Sequence, residues 1–272
     1  MILNVLHKTT YSYATPLLRS TQIIRLWPQN NLHQRVLSWD LELPGDRINT
    51  GRDCFDNITY CLSSLSGCQE IKVTARGVVE TFAAAPKTEA GNVPLEYYLN
   101  QTELTRCEPP LQNFIQQQLG VMANDAYRQP PADLLTIITQ FSAIILEHVR
   151  YTRGVTDSTT TATAALLAKA GVCQDHTHVL LSCCRDLGIP ARYVSGYLYT
   201  HDVEHLSSHA WAEIWFNGAW HSFDVSNQCS AGETHIELAY GLDYLDAAPV
   251  RGSRVGGDDE QLAVISLISQ QQ

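Results

Sequence analysis

A thiol at Cys173, an imidazole at His209 and a carboxylate at Asp224 are three side chains whose types, taken together, break amide bonds. A thiolate attacks the carbonyl, an imidazole within reach moves the proton, and a carboxylate fixes the imidazole's tautomer and steadies its charged form. In this chain order they make the parts list of an acyl-transfer site that works through a thioester. The elements that must bring them together can be read from the residues around each.

Cys173 stands where a helix should begin. Ser158 or Thr159 reads as the N-cap of an Ala- and Leu-rich helix through Lys169, with Gly171 as its stop. A second helix follows at once, with Val172, His176, Val179, Leu180, Cys183, Cys184 and Leu187 on one face until Gly188 and Pro190 end it. Arg192 to Tyr199 then reads as a strand. In the first turn, free backbone N–H groups and the positive end of the helix dipole favour thiolate over thiol. Cys183 and Cys184 fall near the other end, where the dipole disfavours the anion, and are assigned to packing. Asp175 complements the dipole. His176 and His178 point in different directions from Cys173 around the helix, so the three do not converge as metal ligands, and no metal is expected.

His209 and Asp224 fall on a hairpin. His209, Trp211, Glu213 and Trp215 alternate with Ala210, Ala212, Ile214 and Phe216, followed by Asn217-Gly218 and then Trp220 to Val225. With Phe216 opposite Ala219, Trp211 faces Asp224 and His209 faces Ser226, all on one side, which makes His209 and Asp224 diagonal neighbours. Such Cβ atoms lie about 7–8 Å apart, within reach of a hydrogen bond between carboxylate and imidazole. His221 falls on the apolar side as a hydrogen-bonded core residue. Trp211, Trp215 and Trp220 share the His209 face, where they either line an acyl-substrate groove or pack on the nucleophile helix. Trp211, together with Tyr197 on the preceding strand, is the candidate substrate contact.

Gly171-Val172-Cys173-Gln174-Asp175, followed by His178 and by Arg185 through Tyr197, resembles the nucleophile segment of the bacterial transglutaminase-like family. Ser208-His209-Ala210-Trp211-Ala212-Glu213 and Trp220-His221-Ser222-Phe223-Asp224 resemble its histidine and aspartate segments, and Gly241 to Gly252 is similar to a stretch near its end. Where family members commonly read Asp-Pro-Thr-Asn, this chain reads Asp224-Val225-Ser226-Asn227, which keeps the carboxylate and the asparagine. The resemblance implies an α+β fold: a small N-terminal β domain, then a transglutaminase-like, papain-like core with the nucleophile helix packed on an antiparallel sheet. It implies a peptide or protein amide as substrate and needs no cofactor. Water as acceptor would make the protein a peptidase or amidase, the preferred reading, and an amine would make it a transamidase. A non-catalytic binding or scaffold module is the alternative.

The rest of the chain fits two domains, the number suggested by 272 residues at about 150 each. Residues 1–85 carry short alternating segments, such as Leu37, Trp39, Leu41 and Leu43 ahead of Pro44-Gly45, and Ile71, Val73 and Ala75. Residues 86–272 hold the catalytic domain. Within it, 86–133 forms an irregular connection broken by Pro86, Pro94, Pro109-Pro110 and Pro130-Pro131, and a helix begins at Leu134 or slightly before. Eighteen Lys and Arg against 28 Asp and Glu leave a charge of −10, which argues against nucleic acid and anionic membrane as partners. The most apolar helix, Leu134 to Val149, is interrupted by Thr136, Thr139, Gln140 and Ser142, so no membrane span is expected. Met1 to Lys8 has no export-signal pattern, and the eight cysteines then read as reduced thiols of a cytoplasmic protein. Nothing in the sequence speaks to an oligomeric state.

Overall fold

A computed structural model describes residues 1–45, 47–65, 67–119, 131–200 and 208–271, so Pro130 lies outside the described residues. The alternating segments of the first eighty residues form six strands: β1 (Ile2–Ser12), β2 (Leu17–Ile24), β3 (Gln34–Glu42), β4 (Arg47–Arg52), β5 (Ile58–Leu65) and β6 (Glu70–Thr81). In β3 the alternation is broken by a bulge between Val36 and Ser38. Leu37 is therefore 47% exposed, while Trp39, Leu41 and Leu43 pack against the core.

The connecting stretch holds a short 3-10 turn (Leu95–Leu99) and α1 (Pro109–Leu119), and α2 runs from Pro131 to His148. Two two-residue strands, β7 (Arg150–Tyr151) and β8 (Ala170–Gly171), pair in parallel. Between them lies α3 (Ala162–Ala168), which differs at both ends from the sequence reading. Its cap is Thr161, whose side chain accepts from the Ala164 N–H, because Thr159 is held by Asp157 in the preceding turn. Its stop is Lys169 in the left-handed region (φ 55°), two residues before Gly171.

Helix α4 (Cys173–Asp186), which starts at the candidate thiol, and strands β9 (Ala191–Leu198), β10 (Ser208–Phe216), β11 (Ala219–Phe223) and β12 (His235–Gly241) build the core that positions the site. The four strands form one antiparallel sheet in the order β11-β10-β9-β12. Val179, Leu180, Cys183 and Cys184 of α4 share a buried cluster with Ala210, Ala212 and Ile214 of β10, so the helix lies on the sheet as expected. The β10–β11 hairpin turns at Asn217-Gly218, both at positive φ (51° and 72°), and pairs Phe216 with Ala219 through Ala212 with Phe223. The ladder ends there. Asp224 leaves it to bridge Cys229, so the expected pairings of Trp211 with Asp224 and His209 with Ser226 do not form.

After the one-turn α5 (Tyr244–Ala247), the chain returns to its beginning as β13 (Val250–Gly256) and β14 (Gln261–Gln270). These complete the two N-terminal sheets, ordered β14-β1-β6-β3 and β13-β2-β5-β4. Strands β13 and β14, counted with the catalytic region in the sequence reading, thus pair with strands of the first twenty-four residues. A cluster containing Leu3, Val5, Ile24, Leu62, Val73, Tyr197 and Ile236 joins both N-terminal sheets to the central one. Among the described residues no helix is long and apolar enough to cross a membrane.

Candidate functional site

Cys173 is the first residue of α4, after Val172 in extended conformation as N-cap. Asp175, one turn in, sends Oδ2 back to the Val172 N–H at 2.7 Å and accepts from Thr156 Oγ at 2.7 Å, which fixes where the helix begins. Cys173 is half-buried at the edge of a cleft of about 310 Å³, whose lining also includes His209. Cys183 and Cys184 are sealed in the core, where burial pushes both thiols up, Cys184 to about 12.

His209 stands near the start of β10, with its Nε2 2.7 Å from Asp224 Oδ2. Cys173 lines the same cleft and interacts electrostatically with the ring. Burial by itself would push this imidazole down, but its interactions with Cys173 and Asp224 outweigh it and raise His209 to about 10. The three residues picked from sequence are therefore brought together, with Asp224 on one side of the ring and Cys173 coupled to it.

Asp224 has more partners than the sequence reading gave it. Its Oδ2 also accepts from Asn227 Nδ2 at 2.7 Å and from His235 Nε2 at 3.1 Å, and its Oδ1 accepts from the Asn227 N–H at 3.2 Å. Burial favours the neutral acid, yet hydrogen bonds from His209 and His235 hold the carboxyl well below the usual carboxylate range. Asn227 is the asparagine retained from the family pattern. His235, on β12, was missed. Its signal lies in the alternation of Ile236, Leu238 and Tyr240 with His235 and Glu237, which puts two polar residues on a strand buried on both faces. The His235 Nδ1 accepts from the Gly232 N–H at 3.3 Å, which leaves the proton on Nε2 to be donated to Asp224.

His209, Asp224 and His235 offer ligand atoms that all lie within 4.8 Å of one another, the grouping among the described residues that could hold a metal ion. The hydrogen bonds already made by this carboxylate and both rings account for their convergence. His176 and His178 turn away from Cys173: His176 bonds Ser226 Oγ at 2.9 Å and the Val149 carbonyl at 2.7 Å, and His178 Nε2 accepts from the Tyr244 N–H at 3.1 Å. His221 is stacked on Phe216 at 3.8 Å, bonds the Phe216 backbone, and leaves its Nε2 without a partner.

The expected substrate contacts, Trp211 and Tyr197, present no surface to a ligand, being 0% and 1% exposed. Trp211 lies beneath the site instead. Its ring is 6.2 Å from that of His209 and edge-on to His235 at 5.2 Å, and it covers Gly196, where a Cβ would come within 2.7 Å of the indole and 2.0 Å of the Ile236 carbonyl. Tyr197 points into the cluster shared with the N-terminal sheets. Trp211 is buried against Val194, Ala231 and Tyr240, and Tyr197 against β1, whose His7 ring lies 5.6 Å from its own. Tyr193 and Tyr244 line the cleft in their stead.

Two family models match the chain: the transglutaminase-like superfamily over residues 122–225 and the bacterial transglutaminase-like N-terminal region over residues 3–80. Similar sequences include an uncharacterized protein of Mycobacterium leprae, 28% identical over 276 residues that span 97% of this chain and 96% of the relative. An uncharacterized protein of Mycobacterium tuberculosis is 27% identical over 289 residues, 91% of this chain and 86% of the relative. Among solved structures, a candidate cysteine protease from Cytophaga hutchinsonii superposes with a TM-score of 0.70 at 21% identity, covering 100% of this chain and 92% of that one. At that identity the likeness establishes the shared fold.

Proposed function

We propose that this chain, which belongs to the transglutaminase-like superfamily, is a cysteine-dependent hydrolase of peptide or other amide bonds. One observation carries the reading: a half-buried thiol at a helix start, coupled to an imidazole whose other side is held by a buried carboxylate.

The Cys173 thiolate attacks the amide carbonyl carbon, and the C=O electron pair moves to oxygen. The backbone N–H of Cys173, at the start of α4, is a donor for that oxyanion. As the tetrahedral adduct collapses, the imidazolium of His209 protonates the amine nitrogen, the C–N bond breaks, and a thioester on Cys173 remains. His209, now neutral, takes a proton from water as the water oxygen attacks the thioester. The second adduct expels the thiolate and releases the carboxylic acid, which restores the charged pair. Asp224 keeps the His209 ring oriented throughout.

Water is the acceptor we assign. An acceptor amine of the lysine kind approaches as a cation, and among the described residues lining the cleft there is no carboxylate to receive it. The free state of all eight cysteines fits a reducing, cytoplasmic setting. We also propose that residues 1–85 and 86–249 act as β and catalytic units, with 250–270 serving the β unit.

The test is incubation with activated amides and mass spectrometry of the intact chain. The wild type should accumulate an acyl adduct on Cys173, and Cys173→Ala should carry none and lose turnover. Undiminished turnover in Cys173→Ala would sink the mechanism. Activity should fall as pH rises through about 10, where His209 loses the proton it must donate.

A further inference from the structure

The cleft beside Cys173 is walled on one side by strands far from it in sequence. On β1, alternation puts Leu3, Val5, His7, Thr9 and Tyr11 on one face. Leu3 and Val5 enter the core shared with the central sheet, and His7, Thr9 and Tyr11 continue that face along the cleft. The β1–β14 register sets Leu262 opposite Tyr11 and Val264 opposite Thr9, so the chain's last strand adds two apolar side chains to the same wall. Tyr193, Tyr244 and Val250 are among the residues that complete the lining.

No Asp, Glu, Lys or Arg occurs among the described lining residues, in a protein whose net charge is −10. The polar atoms at the His7 end are already engaged: its Nε2 bonds Thr9 Oγ at 2.8 Å, its Nδ1 bonds Ser266 Oγ at 3.0 Å, and Ser266 Oγ lies 3.1 Å from Ser208 Oγ. Burial also lowers His7 to about 4, so it brings no charge at neutral pH. Leu262 remains 56% exposed at this wall, apolar surface that a bound group can cover. At about 310 Å³ the cleft is at the small end of ligand pockets, which run from about 300 to 1,000 Å³.

We propose that the wall formed by Tyr11, Leu262 and Val264 is the acyl-side specificity surface, selecting amides whose acyl residue carries an uncharged, apolar side chain. The proposal rests on Cys173 as nucleophile. The acyl group is the part of the substrate that stays bonded to the sulfur through both halves of the reaction, so the surface beside that sulfur reads it. The N-terminal β region and the chain's end thereby gain a role in the active site.

The experiment uses the full chain and N-acetyl-leucyl, phenylalanyl, glutamyl and lysyl coumarylamides, which share one leaving group. The kcat/KM for the leucyl and phenylalanyl compounds should exceed that for the charged pair by about 100-fold, within the discrimination apolar pockets achieve. Val264→Glu and Leu262→Glu should each compress the leucyl-to-lysyl ratio by about tenfold or more. Because the ratio is taken within one variant, loss of folded protein cancels. A wild type that favours the charged acyl groups, or a leucyl-to-lysyl ratio left unchanged by both variants while Cys173 is still acylated, overturns the proposal. Failure of every compound to leave an acyl adduct on Cys173 overturns the nucleophile reading and this inference with it.

Discussion

Strands β10 and β12 each carry two buried polar residues, and these build two networks of different kinds. His209 on β10 and His235 on β12 meet on Asp224. Further along the same strands, Glu213 and Glu237 both bind Lys87, and Arg192 is clamped to Glu213 at 2.7 Å. The Arg192 guanidinium also lies between the rings of Trp220 and Tyr240, at 4.3 and 4.1 Å. The second network has two cations and two anions, and it ties Lys87 of the connecting stretch and Asn31 of the N-terminal region to the central sheet. Burial pulls the Lys87 ammonium down, but the two glutamates outweigh it and hold it above its ordinary range. Lys87 and Arg192 therefore keep their positive charges, and Glu213 its negative one, at neutral pH. Both networks border a cleft, the charged one through Lys87, Arg192 and Tyr240, but the histidine network is built of groups that can exchange a proton and is the one beside Cys173. Burial and polar pairing are common to both, so neither marks the site alone; an exchangeable proton next to a nucleophile does.

Two substitutions break the comparison from opposite sides. Asp224→Asn should have the largest effect, a fall of about 10⁴ in kcat, as happens when the orienting carboxylate of a catalytic triad is replaced by its amide. The measurement is turnover per folded molecule, and the fold should persist. Lys87→Met should do the reverse. It leaves buried Glu213 paired with Arg192 alone and strips buried Glu237 of its cation, and removing one partner of a buried ion pair costs about 3–5 kcal/mol. Denaturant unfolding should show that loss while kcat per folded molecule holds. If folded Lys87→Met is inactive, or Asp224→Asn retains turnover, the division of labour between the networks fails.

Cys173, His209 and Asp224 were legible as a group because each is announced locally: a glycine and proline punctuate α4, and Asn217-Gly218 fixes the hairpin register up to Phe223, one residue short of Asp224. The strands of the first eighty residues were legible for the same reason, by alternation. Contacts made by chain closure carry no local signal. The pairing of β14 with β1 and β13 with β2 joins segments separated by more than two hundred residues, so the wall beside Cys173 was not visible. Lys87 sits in an irregular stretch and becomes a core residue only when β10 and β12 supply two carboxylates. Trp211 and Tyr197 show the converse. The facing of Trp211 along its strand was read from alternation, but whether that face meets solvent or another layer is decided by packing, and here both residues are covered.

The smallest effect tests whether His235 belongs functionally to the catalytic side. As a positioning residue it donates one of three hydrogen bonds to Asp224 Oδ2, and a hydrogen bond to a charged group is worth about 1.5–3 kcal/mol. His235→Leu should therefore lower kcat by about 10- to 100-fold, and His235→Gln, which can place an amide N–H near the lost Nε2, should recover most of it. A purely structural brace predicts no such difference between variants of equal stability. The pH dependence gives the sign. The folded-state pKa of Asp224 is depressed, so its stabilisation is present above the unfolded value near 3.8 and is lost as pH falls through the folded value. In His235→Leu the folded value moves up towards the unfolded one. The Asp224 part of the stability deficit should then be full at neutral pH and shrink as the solution is acidified below about pH 4. A deficit that stays constant across that range would assign His235 to packing and leave Asp224 held by His209 and Asn227.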